Sequence, residues 1–242
     1  MKKTVNLTID GRNVEAEEGK TVLEVARDNG IDIPTLCYNE ELEPYGACRL
    51  CIVEVSKNKR TRLVTSCLYP VEEGLVVKTN TEKVVANRKM LMELLLARCQ
   101  GVKVIEDMAR NIGVDKPSFK PEYLEREECI LCGLCTRACA EVVGTSAISL
   151  VNRGVNREVA APFLGTADDC IGCGSCVYIC PTQCIKMEDT GDTRTIVNWK
   201  ATFKMQKCKK CGKNFAPEKQ LEYIRKKLNL PQGFFDVCPD CR

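Results

Sequence analysis

Residues 3–9 alternate apolar and polar side chains, the period of a half-buried strand. Asp10-Gly11 is a hairpin-turn dipeptide, and residues 13–17 read as the returning strand. In Thr21-Val22-Leu23-Glu24, Thr21 can cap a helix N-terminus while Glu24 reaches back, so a helix is predicted to about Asp28, ended by Gly30. Further strands fit 50–56, 62–66 and 75–79. Two strands, a helix and more strands within about 80 residues form an α+β unit, a β-grasp sheet with one helix packed on it.

Over 82–98 the period changes. Val84, Val85, Met90, Leu91, Leu94, Leu95 and Leu96 recur at helical spacing without Gly or Pro, which predicts a bridging helix. Pro117 and Pro121 mark a linker. Residues 129–180 are dense in Cys and Gly, with a hairpin expected where 147–152 and 155–160 flank Arg153-Gly154. In the last segment Pro217 suits a first helical turn and Pro231 stops it, with Leu221, Ile224 and Leu228 on one face. The expected organisation is 1–80, a bridge and linker at 81–120, 121–195, and a tail module at 196–242.

Composition then redirects the reading. The 242 residues include 18 Cys and no His, with only 5% aromatics, so large apolar side chains are scarce and something else must help hold the fold. Disulfides need a secreted chain, and no apolar leader follows Met1-Lys2-Lys3. The longest apolar patch, 90–97, is broken by Glu93 and is too short to span a bilayer. A cytoplasmic protein with thiolates free for metal is expected. Without His there is no Rieske centre, no His-ligated zinc, and no Cys/His or Ser/His catalytic pair.

Cys37, Cys48, Cys51 and Cys67 form a C-x10-C-x2-C-x15-C set. Four thiolates suit a [2Fe–2S] cluster, and on count alone a zinc ion or buried free thiols as well. Gly46 and Ala47 leave room for loop amides to approach the sulfurs. The flanks Leu36-Cys37-Tyr38, Gly46-Ala47-Cys48-Arg49-Leu50-Cys51-Ile52-Val53-Glu54-Val55 and Thr65-Ser66-Cys67-Leu68-Tyr69-Pro70-Val71 resemble the N-terminal [2Fe–2S] domain of the large iron–sulfur subunit of complex I. They also resemble the related subunits of NAD-linked hydrogenases and formate dehydrogenases.

Two runs follow, Cys129-x2-Cys132-x2-Cys135-x3-Cys139 and Cys170-x2-Cys173-x2-Cys176-x3-Cys180-Pro181. Each resembles the bacterial ferredoxin run, in whose two-cluster members the fourth Cys of each run ligates the other cluster. The resemblance implies one [4Fe–4S] on Cys129, Cys132, Cys135 and Cys180, and another on Cys139, Cys170, Cys173 and Cys176. Cys139 departs from the pattern, being followed by Ala140 rather than Pro. The complex I-like family has a further motif of one His and three Cys after the bridging helix. Here that stretch reads Leu95-Leu96-Ala97-Arg98-Cys99-Gln100-Gly101, so that cluster is expected to be absent and Cys99 to be a packing residue. Cys184 is expected to pack near a cluster without ligating it.

The tail holds Cys208-x2-Cys211 and Cys238-x2-Cys241 and carries eleven Lys or Arg against four Asp or Glu from Trp199 onward. Two such knuckles resemble a zinc ribbon with an inserted helix. Structural zinc is expected, with mononuclear iron or another iron–sulfur cluster fitting the same ligands. Its basic surface fits docking on an acidic partner face. No dinucleotide fingerprint, P-loop or acid–base carboxylate pair is present, so no catalytic residue is assigned.

The resemblance over 1–190 implies a non-catalytic electron-relay subunit of an NAD(P)-linked hydrogenase or formate dehydrogenase, including electron-bifurcating forms. Its partners would be a flavin- and NAD(H)-binding subunit and a catalytic subunit, in a hetero-oligomer without nucleic acid. The alternatives are a standalone multicluster ferredoxin, or an accessory iron–sulfur subunit of another complex I-like oxidoreductase.

Overall fold

The computed structural model describes residues 3–120 and 128–242. Pro121, and with it part of the expected linker, lies outside the described residues. The chain forms two compact units, 1–132 and 133–242.

The first unit is built on a mixed five-stranded sheet of order β2-β1-β5-β3-β4. Its strands are β1 (Thr4–Ile9), β2 (Arg12–Glu17), β3 (Ile52–Lys57), β4 (Arg60–Thr65) and β5 (Leu75–Lys78). The Asp10-Gly11 turn sets the first register, Leu7 opposite Val14 and Ile9 opposite Arg12. β5 joins β1 in parallel and β3 antiparallel. The Asp10 carboxylate accepts from the Thr79 amide at 2.8 Å and its hydroxyl at 2.6 Å, fastening the end of β5 to the first hairpin.

Helix α1 (Val22–Asp28) starts with the expected capping box. The Glu24 amide donates to Thr21 Oγ1 at 3.3 Å, and the Thr21 amide donates to Glu24 Oε2 at 2.6 Å. Its buried face, Val22, Leu23, Val25 and Ala26, packs in one core with Val5, Leu7 and Ile9 of the sheet. Full burial of a side chain such as Leu23 contributes roughly 1.5–3 kcal/mol.

The bridging helix is α2 (Glu82–Arg98), capped by Thr81, whose hydroxyl accepts from the Val84 amide. A further helix, α3 (Lys103–Ile112), occupies part of the expected linker and ends at Gly113 in the left-handed conformation. Met92, Leu96, Cys99, Ile105 and Ala109 join Leu36 and Leu50 in a second core. Arg88 is buried beneath α2 and donates to the carbonyls of Leu50, at 3.0 Å, and Ile52, at 2.7 Å.

The second unit contains two matching short helices, α4 (Leu134–Arg137) and α5 (Ser175–Tyr178), each entered through a left-handed glycine, Gly133 and Gly174. A π-helical turn, Ala138–Val143, continues α4. The expected hairpin is β6 (Ser149–Val151) with β7 (Glu158–Ala160). A four-stranded sheet of order β11-β10-β9-β8 follows, from β8 (Met187–Thr190), β9 (Thr193–Ile196), β10 (Ala201–Lys207) and β11 (Asn214–Pro217). Helix α6 (Glu218–Lys227) follows directly.

That sheet runs through the boundary expected at 196. Trp199, Ala201 and Phe203 share a core with Cys135, Cys176 and Ile185, so the start of the tail is part of the same packed unit as the cysteine loops. The face expected to hold Leu221, Ile224 and Leu228 is shorter than expected: Leu221 is buried, but Leu228 lies past the end of α6 and is exposed.

Candidate metal centres

Cys37, Cys51 and Cys67 are buried and Cys48 is half-buried. Their placement follows from the sheet. Cys51 immediately precedes β3 and Cys67 follows β4, strands paired from Ile52–Thr65 to Lys57–Arg60. The Ser66 amide donates to Cys51 O at 3.1 Å, and the sulfurs of Cys51 and Cys67 lie 3.3 Å apart. The start of α1 holds the same segment through Leu23 N–H to Ser66 O and Val22 N–H to Tyr69 O. The loop carrying Cys48 crosses over Leu68 at Gly46, where φ is +69° and a Cβ would stand 2.5 Å from Leu68 Cδ1, so the position favours glycine. The Cys48 amide donates to Cys37 Sγ and the Leu36 amide to Cys48 Sγ, both at 3.4 Å.

Hydrogen bonding and crowding among these sulfurs raise Cys48, against Cys37, and Cys67, against Cys51, well above the ordinary thiol range. The bond from Cys67 pulls Cys51 down to about 6. Four thiolates this close ionise together only around a cation, and a soft all-sulfur donor set with amides aimed at it suits iron or zinc.

In the second unit Cys139, Cys170, Cys173 and Cys176 line one small cavity, walled by Ala147, Ile148, Ile196 and Trp199. The last Cys of the first run is thus brought to three of the second. The π-helical turn carries Cys139 there, and the Ala147 amide donates to its sulfur at 3.3 Å. Trp199 Nε1 donates to Cys176 Sγ at 3.4 Å. Burial pushes the Cys176 thiol up to about 11 against this bond, again favouring a cation-bound thiolate over a free one. Cys129 and Cys132 lie in the first compact unit, and Cys135 and Cys180 in the second. Arg98 Nε donates to Cys129 O at 2.9 Å. Cys184 places its sulfur 3.6 Å from Cys180 Sγ, and Cys99 is fully buried at the end of α2.

The sulfurs of Cys208, Cys211, Cys238 and Cys241 all lie within 4.8 Å of one another. The turn after β10 presents the first pair, with the Gly212 amide on Cys208 O at 2.9 Å, and the Cys238 amide donates to Cys208 Sγ at 3.3 Å. Backbone amides, that of Cys211 foremost, lower the Cys208 thiol to about 6. Cys211 and Cys238 sulfurs stand 3.8 Å apart. Four sulfurs at about 2.3 Å around one tetrahedral ion are about 3.8 Å from each other. A cluster interposes several irons and spreads its thiolates further, so this spacing fits a single ion.

The rest of the tail turns inward. Tyr223 Oη on α6 donates to Val143 O at 2.9 Å, and Lys219 Nζ donates to Asp168 O. Both acceptors border cysteine loops, one after Cys139 and one before Cys170. Neither this use of α6 nor the role of Trp199 has a local sequence signal. For β10 there is one, the alternation of Ala201, Phe203 and Met205 that the structure buries.

Two family models match the chain: a 2Fe-2S iron-sulfur cluster binding domain over residues 2–82 and a 4Fe-4S dicluster domain over 123–187. A crystal structure of an NAD+-reducing [NiFe]-hydrogenase in the H2-reduced state matches with a TM-score of 0.59 and 30% identity, over 65% of this chain and 75% of that one. An NADH-quinone oxidoreductase polypeptide of Rhizobium meliloti is 33% identical over 201 residues, 73% of this chain and 23% of the relative. The HndD polypeptide of the NADP-reducing hydrogenase of Solidesulfovibrio fructosivorans is 34% identical over 207 residues, 74% of this chain and 35% of the relative. The chain therefore belongs to the family of iron–sulfur proteins shared by NADH-quinone oxidoreductases and NAD(P)-linked hydrogenases. It spans about a quarter to a third of the length of these curated relatives. No helix among the described residues is long and apolar enough to cross a membrane.

Proposed function

We propose that this chain is a non-catalytic electron-relay subunit. In this reading Cys37, Cys48, Cys51 and Cys67 hold a [2Fe–2S] cluster. Cys129, Cys132, Cys135 and Cys180 hold one [4Fe–4S] cluster, and Cys139, Cys170, Cys173 and Cys176 a second. The observation that carries the proposal is the meeting of Cys139 with Cys170, Cys173 and Cys176 around one cavity, the crossed arrangement of two-cluster ferredoxins. Such clusters, when bound, take up and release single electrons at potentials set by charge, hydrogen bonds and burial. The chain's own residues supply the thiolates, aim the amides of Leu36, Cys48 and Ala147 at their sulfurs, and exclude water with Leu23, Val53, Ile148 and Ile196.

The partners proposed are a flavin subunit meeting NAD(H) and a hydrogenase or formate dehydrogenase catalytic subunit, in a hetero-oligomer. The tail is proposed as a zinc site that buttresses the cysteine loops from within the chain. Its single-ion spacing and the inward bonds of α6 support this over a separate docking module.

Metal and sulfide analysis of anaerobically purified protein tests the assignment. About ten irons, eight of them in the two [4Fe–4S] clusters, and one zinc per chain are expected. Four irons fewer would remove one [4Fe–4S] cluster, and a tail loaded with iron–sulfur in place of zinc would remove the buttress.

A further inference from the structure

Trp199 is the chain's one tryptophan, and it is nearly fully buried. It sits on the single turn Val197–Trp199 between β9 and β10, beyond the residues matched by the dicluster family model. Three contacts bind it to the cysteine loops. Its indole N–H donates to Cys176 Sγ at 3.4 Å, its carbonyl accepts from the Ala167 amide at 3.3 Å, and its ring walls the cavity of Cys139, Cys170, Cys173 and Cys176. β10 fixes this placement by pairing with β9, Ala201 opposite Ile196, while Lys200 turns the chain in the left-handed region.

We infer that Trp199 sets the reduction potential of the cluster held by Cys139, Cys170, Cys173 and Cys176, by donating its indole N–H to the Cys176 sulfur. The inference rests on the cluster assignment proposed above. Reduction adds negative charge that is shared with the ligand sulfurs, and a hydrogen-bond donor interacts more strongly with the more negative state. The donor therefore raises the potential. A purely space-filling indole would do its work without the N–H, and this difference can be measured.

Because Trp199 is unique, a tryptophan auxotroph supplied with benzothienylalanine replaces the N–H by sulfur at this position alone, with the ring shape kept. The full chain, purified anaerobically, is titrated by EPR-monitored redox potentiometry. One [4Fe–4S] potential should fall by the equivalent of a tenfold loss in reduction equilibrium, about 59 mV for a one-electron couple. The [2Fe–2S] potential and the iron content should hold. Protein grown on 5-fluorotryptophan, which keeps the N–H, should stay at or above the native potential. Unchanged potentials with full iron content overturn the inference. Loss of iron from the benzothienyl protein also overturns it, assigning the indole to cluster retention instead. Native protein without [4Fe–4S] signals would fail the cluster assignment itself, a separate and recognisable result.

Discussion

Replacing Arg88 by Met tests how the bridging helix holds the loop of Cys48 and Cys51. The guanidinium is buried, and desolvation lowers its pKa, so its charge is held at a cost. It is retained because it donates to two carbonyls on either side of Cys51, those of Leu50 and Ile52. A hydrogen bond involving a charged group contributes about 1.5–3 kcal/mol net, so the pair sums to roughly 3–6 kcal/mol. Met keeps the apolar stem and escapes the desolvation of a charge, which returns part of that. A net loss of about 2–4 kcal/mol is expected. Since the carbonyls flank Cys51, the damage should centre on the first unit. Anaerobic urea titration followed by the visible circular dichroism of the [2Fe–2S] centre reads this region directly. Arg88→Met should lose the signal at lower urea, with Arg88→Lys between variant and wild type. A shift of under about 1 kcal/mol for Arg88→Met would refute the claim that these two bonds tie α2 to the cysteine loop.

Gly172 lies at φ +72°, and a Cβ there would stand 2.6 Å from Phe203 Cδ2. Gly172→Ala should destabilise the second unit by about 2–4 kcal/mol in denaturant titrations, with partial recovery in a Gly172→Ala, Phe203→Leu double variant; no recovery would place the fault in the backbone alone. On α6, hydrogen bonds from Arg225 and then Lys226 depress the exposed Glu222 from 4.5 to about 2. Because the folded value lies below the unfolded one, its stabilising contribution is present above about pH 4.5 and lost as the pH falls through about 2. NMR titration of the Glu222 carboxyl should give a low midpoint that rises with salt, and a midpoint at the ordinary value would remove the ion pair from solution.

The first unit is closely legible in the sequence because its signals are local. The Thr21 capping box, the Asp10-Gly11 turn and the Gly- and Pro-free run from 82 to 98 each act within a few residues. Cysteine spacing marks candidate ligands for the same reason. Helix α3 is hidden by the prolines that follow it, although Val102, Ile105 and Ala109 keep a helical period and Gly113 ends it. The final sheet escapes a local reading because β8 and β9, Met-Glu-Asp-Thr and Thr-Arg-Thr-Ile, show almost no apolar alternation. Their partner β10 does show it, but the cysteine knuckles beyond it suggest a separate module. The bonds of Trp199 to Cys176 and of Tyr223 to Val143 join residues 23 and 80 positions apart, a distance at which no local pattern reports a contact.

The continuous sheet from β8 to β11 also has a consequence for the order in which the chain is made. Phe203, which closes over Gly172, emerges from the ribosome only after every cysteine of the two ferredoxin-like runs. Until then those thiols lack the part of their apolar wall that Trp199, Ala201 and Phe203 supply, and Cys238 and Cys241 come later still. Domains assemble as units during synthesis, so iron loading of the second unit is expected to wait until β10 has been made. A ribosome stalled before β10 would leave its thiols open to oxidation, and truncation there should yield an iron-poor, oxygen-labile chain, although the dicluster match ends at 187.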